Sequence, residues 1–252
     1  MAGDRRKLRI EMEGGRQLLG AFVQSHDPAS IEMFGHLGFD FVCVEGEHSA
    51  MGAETIRALV AAAELTPAPP LVRIAGNDPV LIAAALDAGA QGVVVPRVDT
   101  GPEAAAAVAS TRYPPDGGRG LGPGRAAAYG RRIPEYLASA NAEVLLAVQV
   151  ETRAAVDDLD QILAVDGVDM IFVGPGDLGA SLGIADPRGP ELLETVESIL
   201  RRSKEAGRLT GIFAADPEAA ERWRALGTDL IVLGSDLGWM MAGVESALGS
   251  LG

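Results

Sequence analysis

Acidic, basic and amide side chains in this sequence gather at the ends of four apolar runs. FDFVCV leads into Glu45, Glu47 and His48; PPLVRI carries Arg73 near its end; LLAVQVE presents Gln149 and Glu151; MIFVGPGD ends on Asp177. Gln149 and Glu151 are two residues apart, so in a strand they share a face. Glu151 and Asp177, with Gln149 beside them, form a hard oxygen donor set suited to Mg²⁺ or Mn²⁺, which keep positions for water and substrate. Zinc is less favoured: a structural zinc site takes Cys or His ligands, and the chain has only Cys43, His26, His36 and His48. The planar donors of Arg73 suit a carboxylate or an enolate oxygen. His48 titrates near neutrality when unperturbed, which fits a proton shuttle.

Each residue also has a plainer use. Asp177 precedes a helical-looking stretch and could be its N-cap. Glu151 could start a helix, where a carboxylate suits the dipole. Arg73 could be an ion-pair partner and His48 a hydrogen-bonded rim residue. His36, in the turn HLGF, reads as structural, whereas His26 could line the rim. What favours a site is convergence, and that depends on the elements carrying these residues.

Apolar runs rich in β-branched residues recur at Leu18 to Val23, Phe39 to Val44, Pro70 to Ile74, Gly92 to Val95, Val144 to Val150, Val168 to Val173, Leu209 to Phe213 and Asp229 to Leu233. Between them lie helical spacings at Ala53 to Ala63, Pro79 to Ala88, Pro102 to Ser110, Arg153 to Val165 and Leu192 to Ala206. Gly-containing stops (HLGFD, DAGAQG, VDGVD, EAGR, ALGTD) lead from helix back to strand. Alternating strands and helices over 252 residues predict one (β/α)₈ TIM barrel spanning residues 1 to 252 as a single domain. Such a barrel places chemistry where strands end, so the four clusters meet on one rim. An open doubly wound sheet is the main alternative, but no GxGxxG opens a helix after the first strand. Tyr113 to Pro134, containing RYPPDGGRGLGPGR, lacks apolar periodicity and reads as a long ordered loop, a lid or a subunit contact.

The net charge of −14 argues against a nucleic-acid partner, and Arg5, Arg6 and Lys7 read as a solvated terminus. No apolar stretch reaches the length of a membrane span and no signal-peptide pattern follows the start; with one cysteine, the expectation is a cytoplasmic protein. Lysine usage separates two carbon–carbon bond chemistries. A Schiff-base aldolase needs a desolvated Lys at a strand end, and the chain has only Lys7, in the charged terminal segment, and Lys204, on a predicted exposed helix. A metal acting as Lewis acid would then serve as the electron sink.

On these motifs the chain resembles the class II pyruvate aldolases of the HpcH/HpaI aldolase/citrate lyase family. FDFVCVEGEHSA, PLVRIAGNDPVLIAAALDAGAQGVVVPRV, TRYPPDGGRGLG, VQVETRAAV and VDMIFVGPGDLGASLG occur in the family's order and cover almost the whole chain. The resemblance implies reversible cleavage of a 4-hydroxy-2-oxo acid to pyruvate, or an analogue such as hydroxypyruvate, and an aldehyde through a metal-stabilised enolate. It also implies a Mg²⁺, Mn²⁺ or Co²⁺ ion held by Glu151 and Asp177. Arg73 would stabilise the enolate, Gln149 would orient the oxo acid, and the backbone amides around Gly174, Pro175 and Gly176 would take its carboxylate. His48 matches the catalytic histidine, with Asp87 as acidic partner, across a subunit boundary if not within the chain. Glu45 stands where the family usually has Asp, adding a methylene near the aldehyde end. The partners implied are small molecules and further copies of the chain, as a trimer of dimers exchanging the last helix, near Leu237 to Leu248. Three other readings are an enolate-condensing relative with a different carbonyl acceptor, a non-catalytic barrel subunit, and a phosphate-binding isomerase using GSDLG at Gly234 to Gly238. The last sequence serves equally well as a turn and cap.

Overall fold

The computed structural model describes residues 7–186 and 188–251. Eight parallel strands close into a barrel in sequence order: β1 (Leu18–Val23), β2 (Phe41–Glu45), β3 (Pro70–Arg73), β4 (Gly92–Val95), β5 (Leu145–Val150), β6 (Met170–Val173), β7 (Leu209–Ala214) and β8 (Leu230–Ser235). Around and between them run α1 (Leu8–Glu13), α2 (Pro28–Leu37), α3 (Ala53–Ala63), α4 (Pro79–Asp87), α5 (Gly101–Thr111), α6 (Ile133–Glu143), α7 (Arg153–Asp157), α8 (Leu159–Leu163), α9 (Pro175–Leu182), α10 (Pro190–Glu205), α11 (Pro217–Ala225) and α12 (Asp236–Gly249). All eight expected strands form, each within two residues of its expected ends. The expected helix over 153 to 165 breaks at Asp158, whose carboxylate accepts the Gly101 amide at 2.9 Å.

Strand alternation sorts the core into two layers. One set, including Phe41 and Cys43 of β2, Leu71 of β3, Leu145 and Ala147 of β5, and Met170 and Phe172 of β6, fills the barrel, closed below by Leu8 and Met12 of α1. The other set, such as Val42, Val44, Leu146, Val148 and Val150, packs outward against the helices. Continuing the inward set by two residues per step brings Glu45, Arg73 and Gln149 to the top of the interior. The register places Glu45 beside Arg73.

The stretch after α5 is an ordered loop, as expected, with a 3₁₀ turn at Arg125–Ala127 before α6. Asn141 accepts the Tyr113 amide at 2.8 Å and donates to its carbonyl at 2.9 Å. The loop leaves the C-terminal end of a helix, so it lies at the end of the barrel where strands begin. It is not a lid over this chain's own rim. Lys7 is ion-paired with Glu143 at 2.7 Å; Arg5 and Arg6 lie outside the described residues. Among the described residues no helix is long and apolar enough to cross a membrane.

Candidate active site

Glu45 sits at the base of the rim, fully buried. Its Oε1 accepts the backbone amides of Glu47 (2.7 Å) and His48 (3.0 Å), and its Oε2 takes Arg73 Nε at 2.7 Å and also meets Nη2. One carboxylate thereby fixes both the arginine on β3 and the loop carrying His48. This placement departs from the expectation that Glu45 lies near the aldehyde: a carboxylate with no exposed surface and both oxygens engaged has no face left for substrate. Arg73 is nearly buried, stacks over Phe22 at 4.3 Å and lies 3.3 Å from Glu47 Oε2. Its Nη1 donates to none of the described residues, so the arginine is both an ion-pair partner and a free donor edge.

Gln149 and Glu151 follow from β5. The Gln149 amide nitrogen donates to Glu151 Oε2, while Arg97, after β4, donates its backbone N–H to Glu151 Oε1 at 2.8 Å. Arg97 holds a left-handed backbone (φ 52) to do so, a conformation that side-chain-bearing residues seldom adopt outside sites that over-determine it. Glu151 is therefore not a helix cap; Thr152 caps α7 instead. Gly174 closes the far wall: a Cβ there would stand 2.9 Å from Glu151 Oε2 and 3.1 Å from Gln149 Nε2. Asp177 lies in the first turn of α9, inside the helix rather than at its N-cap, and is exposed. Of the expected amide cradle, Pro175 has no N–H and Gly174 N points to Val150 O at 3.5 Å, leaving Gly176 as the available donor of the three.

Two buried acceptors, Glu47 Oε2 and Gln149 Oε1, have no hydrogen-bond partner. Unpaired buried polar atoms are costly, and grouped beside Glu151 they fit a bound polar or cationic ligand. Burial pushes the Glu47 carboxyl up to about 7, partly countered by Arg73. Glu151 is also raised, by burial first and by Asp177, against the hydrogen bonds from Gln149 and Arg97. A divalent cation between Glu151 and Asp177 would offset that repulsion. The donor set fits Mg²⁺-like chemistry: two protein carboxylates, with water and substrate completing the shell. Among the described residues no cluster of three or more His, Cys, Asp or Glu offers a closed metal cage.

His48 projects from the rim, 55% exposed, with Nε2 3.7 Å from Glu47 Oε2. Asp87 does not join it within the chain. It ends α4, at the opposite end of the barrel, and pairs with Arg119 at 2.6 Å. Neither Arg119 nor the Arg97 amide carries a sequence signal: one lies in a glycine-rich loop, and the other works through its backbone. At Gly234 to Gly238, Ser235 Oγ accepts the Gly238 amide at 3.1 Å and Asp236 accepts those of Gln24 and Ser25, so a carboxylate fills the place of a phosphate. Burial pushes the Cys43 thiol up, leaving it unreactive.

One rim of a closed barrel thus carries a buried arginine, an acidic pair and a histidine, a set of groups suited to an oxyanionic ligand. The family model for HpcH/HpaI aldolase/citrate lyase matches residues 18–249, and the chain belongs to that family. It is 41% identical to the hydroxypyruvate/pyruvate aldolase of Roseovarius nubinhibens over 90% of this chain and 89% of that protein. Against the 4-hydroxy-2-oxo-heptane-1,7-dioate aldolase of Salmonella typhimurium the identity is 38%, over 96% and 92%. The crystal structure of an HpcH/HpaI aldolase/citrate lyase family protein from Burkholderia cenocepacia superposes with a TM-score of 0.90 at 38% identity, covering 97% of this chain and 98% of the other.

Proposed function

We propose that this enzyme cleaves 4-hydroxy-2-oxo acids reversibly to pyruvate, or hydroxypyruvate, and an aldehyde. The observation that carries this reading is the rim itself: an arginine with one free donor edge beside Glu151 and two buried acceptors that lack a hydrogen bond. Glu151 and Asp177 would hold a divalent cation, Mg²⁺, Mn²⁺ or Co²⁺, which when bound supplies Lewis-acid stabilisation of the enolate. Arg73 presents Nη1 to the keto oxygen and strengthens that contact as negative charge develops there. Gln149 orients the oxo acid, and the Gly176 amide at the α9 N-terminus takes its carboxylate. His48 removes the proton from the C4 hydroxyl. The C3–C4 bond then breaks, its electrons pass into the enolate, the aldehyde departs, and C3 takes up a proton to give pyruvate.

Asp87 serves His48 from a second copy of the chain. The oligomer is a trimer of dimers in which the last helix is exchanged. What supports this is α12, which leaves Leu237, Met240, Met241, Val244 and Leu248 exposed on one barrel. The chain works in the cytoplasm as a single barrel domain throughout its length. Incubation with pyruvate in D₂O tests the enolate half without the natural aldehyde: methyl-proton exchange is expected with Mg²⁺ or Mn²⁺ and lost with chelator. Absence of exchange under every metal tried would favour a non-catalytic barrel or another substrate.

A further inference from the structure

We propose that Arg119 is a positioning residue of the reaction, holding the Asp87 carboxylate outward from the α4 C-terminus for the imidazole of a second copy. This rests on the reading that Asp87 serves His48 of another copy. Asp87 is the last residue of α4, where the helix dipole disfavours an acid. Within the chain its ion-pair partner is Arg119. It is held tightly: Arg119 Nη2 donates to its Oδ1 at 2.6 Å. The other oxygen accepts no hydrogen bond from the described residues, and the side chain stays 34% exposed.

The holder is the more deeply buried of the two. The Arg119 side chain has no exposed surface. Its guanidinium lies 4.7 Å from the Tyr113 ring centroid and 5.6 Å from that of Tyr136, and Nη1 donates to the Tyr136 hydroxyl at 3.2 Å. The loop that delivers it folds back on α5: the Arg119 amide donates to Arg112 O at 2.9 Å, and a Cβ on Gly117 would meet that same carbonyl at 2.5 Å. Gly124 packs over Asp87, where a Cβ would stand 2.9 Å from the Asp87 Cβ. Burying an arginine between two rings while leaving its Nε without a partner is costly for stability alone. The arrangement fixes one acceptor oxygen in a set orientation and leaves the other free.

A double-mutant cycle tests this on the assembled, metal-loaded enzyme: wild type, R119M, D87N and R119M/D87N. In the wild-type background Arg119→Met is expected to lower kcat for aldol cleavage about tenfold or more, with KM within about threefold. In the D87N background the same substitution is expected to change kcat by less than about twofold, because the residues act as a unit. The acid limb of the kcat/KM profile should move to lower pH in both single variants, since a loosened carboxylate no longer stabilises imidazolium. Equal losses in both backgrounds, or unchanged turnover in R119M, would overturn the proposal and make Arg119 a staple of the loop. Wild-type turnover in D87N would instead overturn the reading that Asp87 serves His48. If R119M fails to assemble by light scattering, R119K replaces it in the same cycle with the same two outcomes.

Discussion

Arg112 and Arg73, buried at opposite ends of the barrel, show how differently the fold uses the same side chain. Arg112, where the strands begin, donates to Val144 O at 2.8 Å, Gly167 O at 3.1 Å and Asp169 Oδ2 at 2.5 Å. Arg208 does likewise with the carbonyls of Leu163, Val165 and Val168. Both tie helix ends and loops together with their donors committed to the protein. Arg73, where the strands end, pairs with Glu45 through one edge and leaves Nη1 open, and the acceptors around it are under-satisfied in the same way. Arg112 spends its donors on holding together the end where the strands begin, whereas Arg73 keeps one donor free at the end where they finish.

The largest effect should come from removing the acidic pair. Glu151→Ala or Asp177→Ala is expected to abolish divalent-metal binding, read by titration calorimetry, together with cleavage activity. Full activity of both variants after dialysis against chelator would move the metal elsewhere. Arg112→Met tests the other side of the contrast. Breaking a buried ion pair by removing one partner costs roughly 3–5 kcal/mol, so the urea midpoint should fall sharply while kcat of the folded fraction stays near wild type. A catalytic defect without a stability defect would erase the distinction between the two ends. Arg73→Lys keeps the charge against Glu45 but loses the planar edge; turnover should drop more than tenfold, about 1.4 kcal/mol in the barrier, with little change in stability. Unchanged turnover would reduce Arg73 to the role Arg112 plays.

Much of this contrast was legible from the chain because strand alternation is local. Once FDFVCVE, PPLVR and LLAVQVE are recognised as parallel barrel strands, Glu45, Arg73 and Gln149 must end on the inner face at the same rim. What stayed hidden depends on contacts distant in sequence. The pairing of Arg119 with Asp87 spans 32 residues across a loop without periodicity, and nothing in RYPPDGGRGLG marks its arginine as buried. The left-handed Arg97 is invisible for another reason: sequence signals for that conformation favour Gly, Asn and Asp, and here tertiary contacts impose it on an arginine. Alternation gives the face on which Glu45 lies, but not that two backbone amides and Arg73 engage both of its oxygens.

The smallest expected effect concerns Glu47, whose carboxyl is held up to about 7, mainly by burial, against an ordinary value of 4.5. In metal-free enzyme the native state keeps this proton between those two values while the unfolded chain releases it. The group's contribution is therefore present below about pH 4.5 and is lost as pH rises through 7. Glu47→Gln does not titrate, so its stability relative to wild type should rise over that interval and level off above it. Urea midpoints of chelator-treated protein at pH 5 and pH 8 read the difference directly: the variant should gain at pH 8 more than at pH 5. Added Mg²⁺ should narrow the gap at pH 8, because a nearby cation favours the ionised carboxylate that only the wild type has. A gap of the same size at both pH values would mean that Glu47 ionises normally, and the under-satisfied character of the rim would then rest on Gln149 alone.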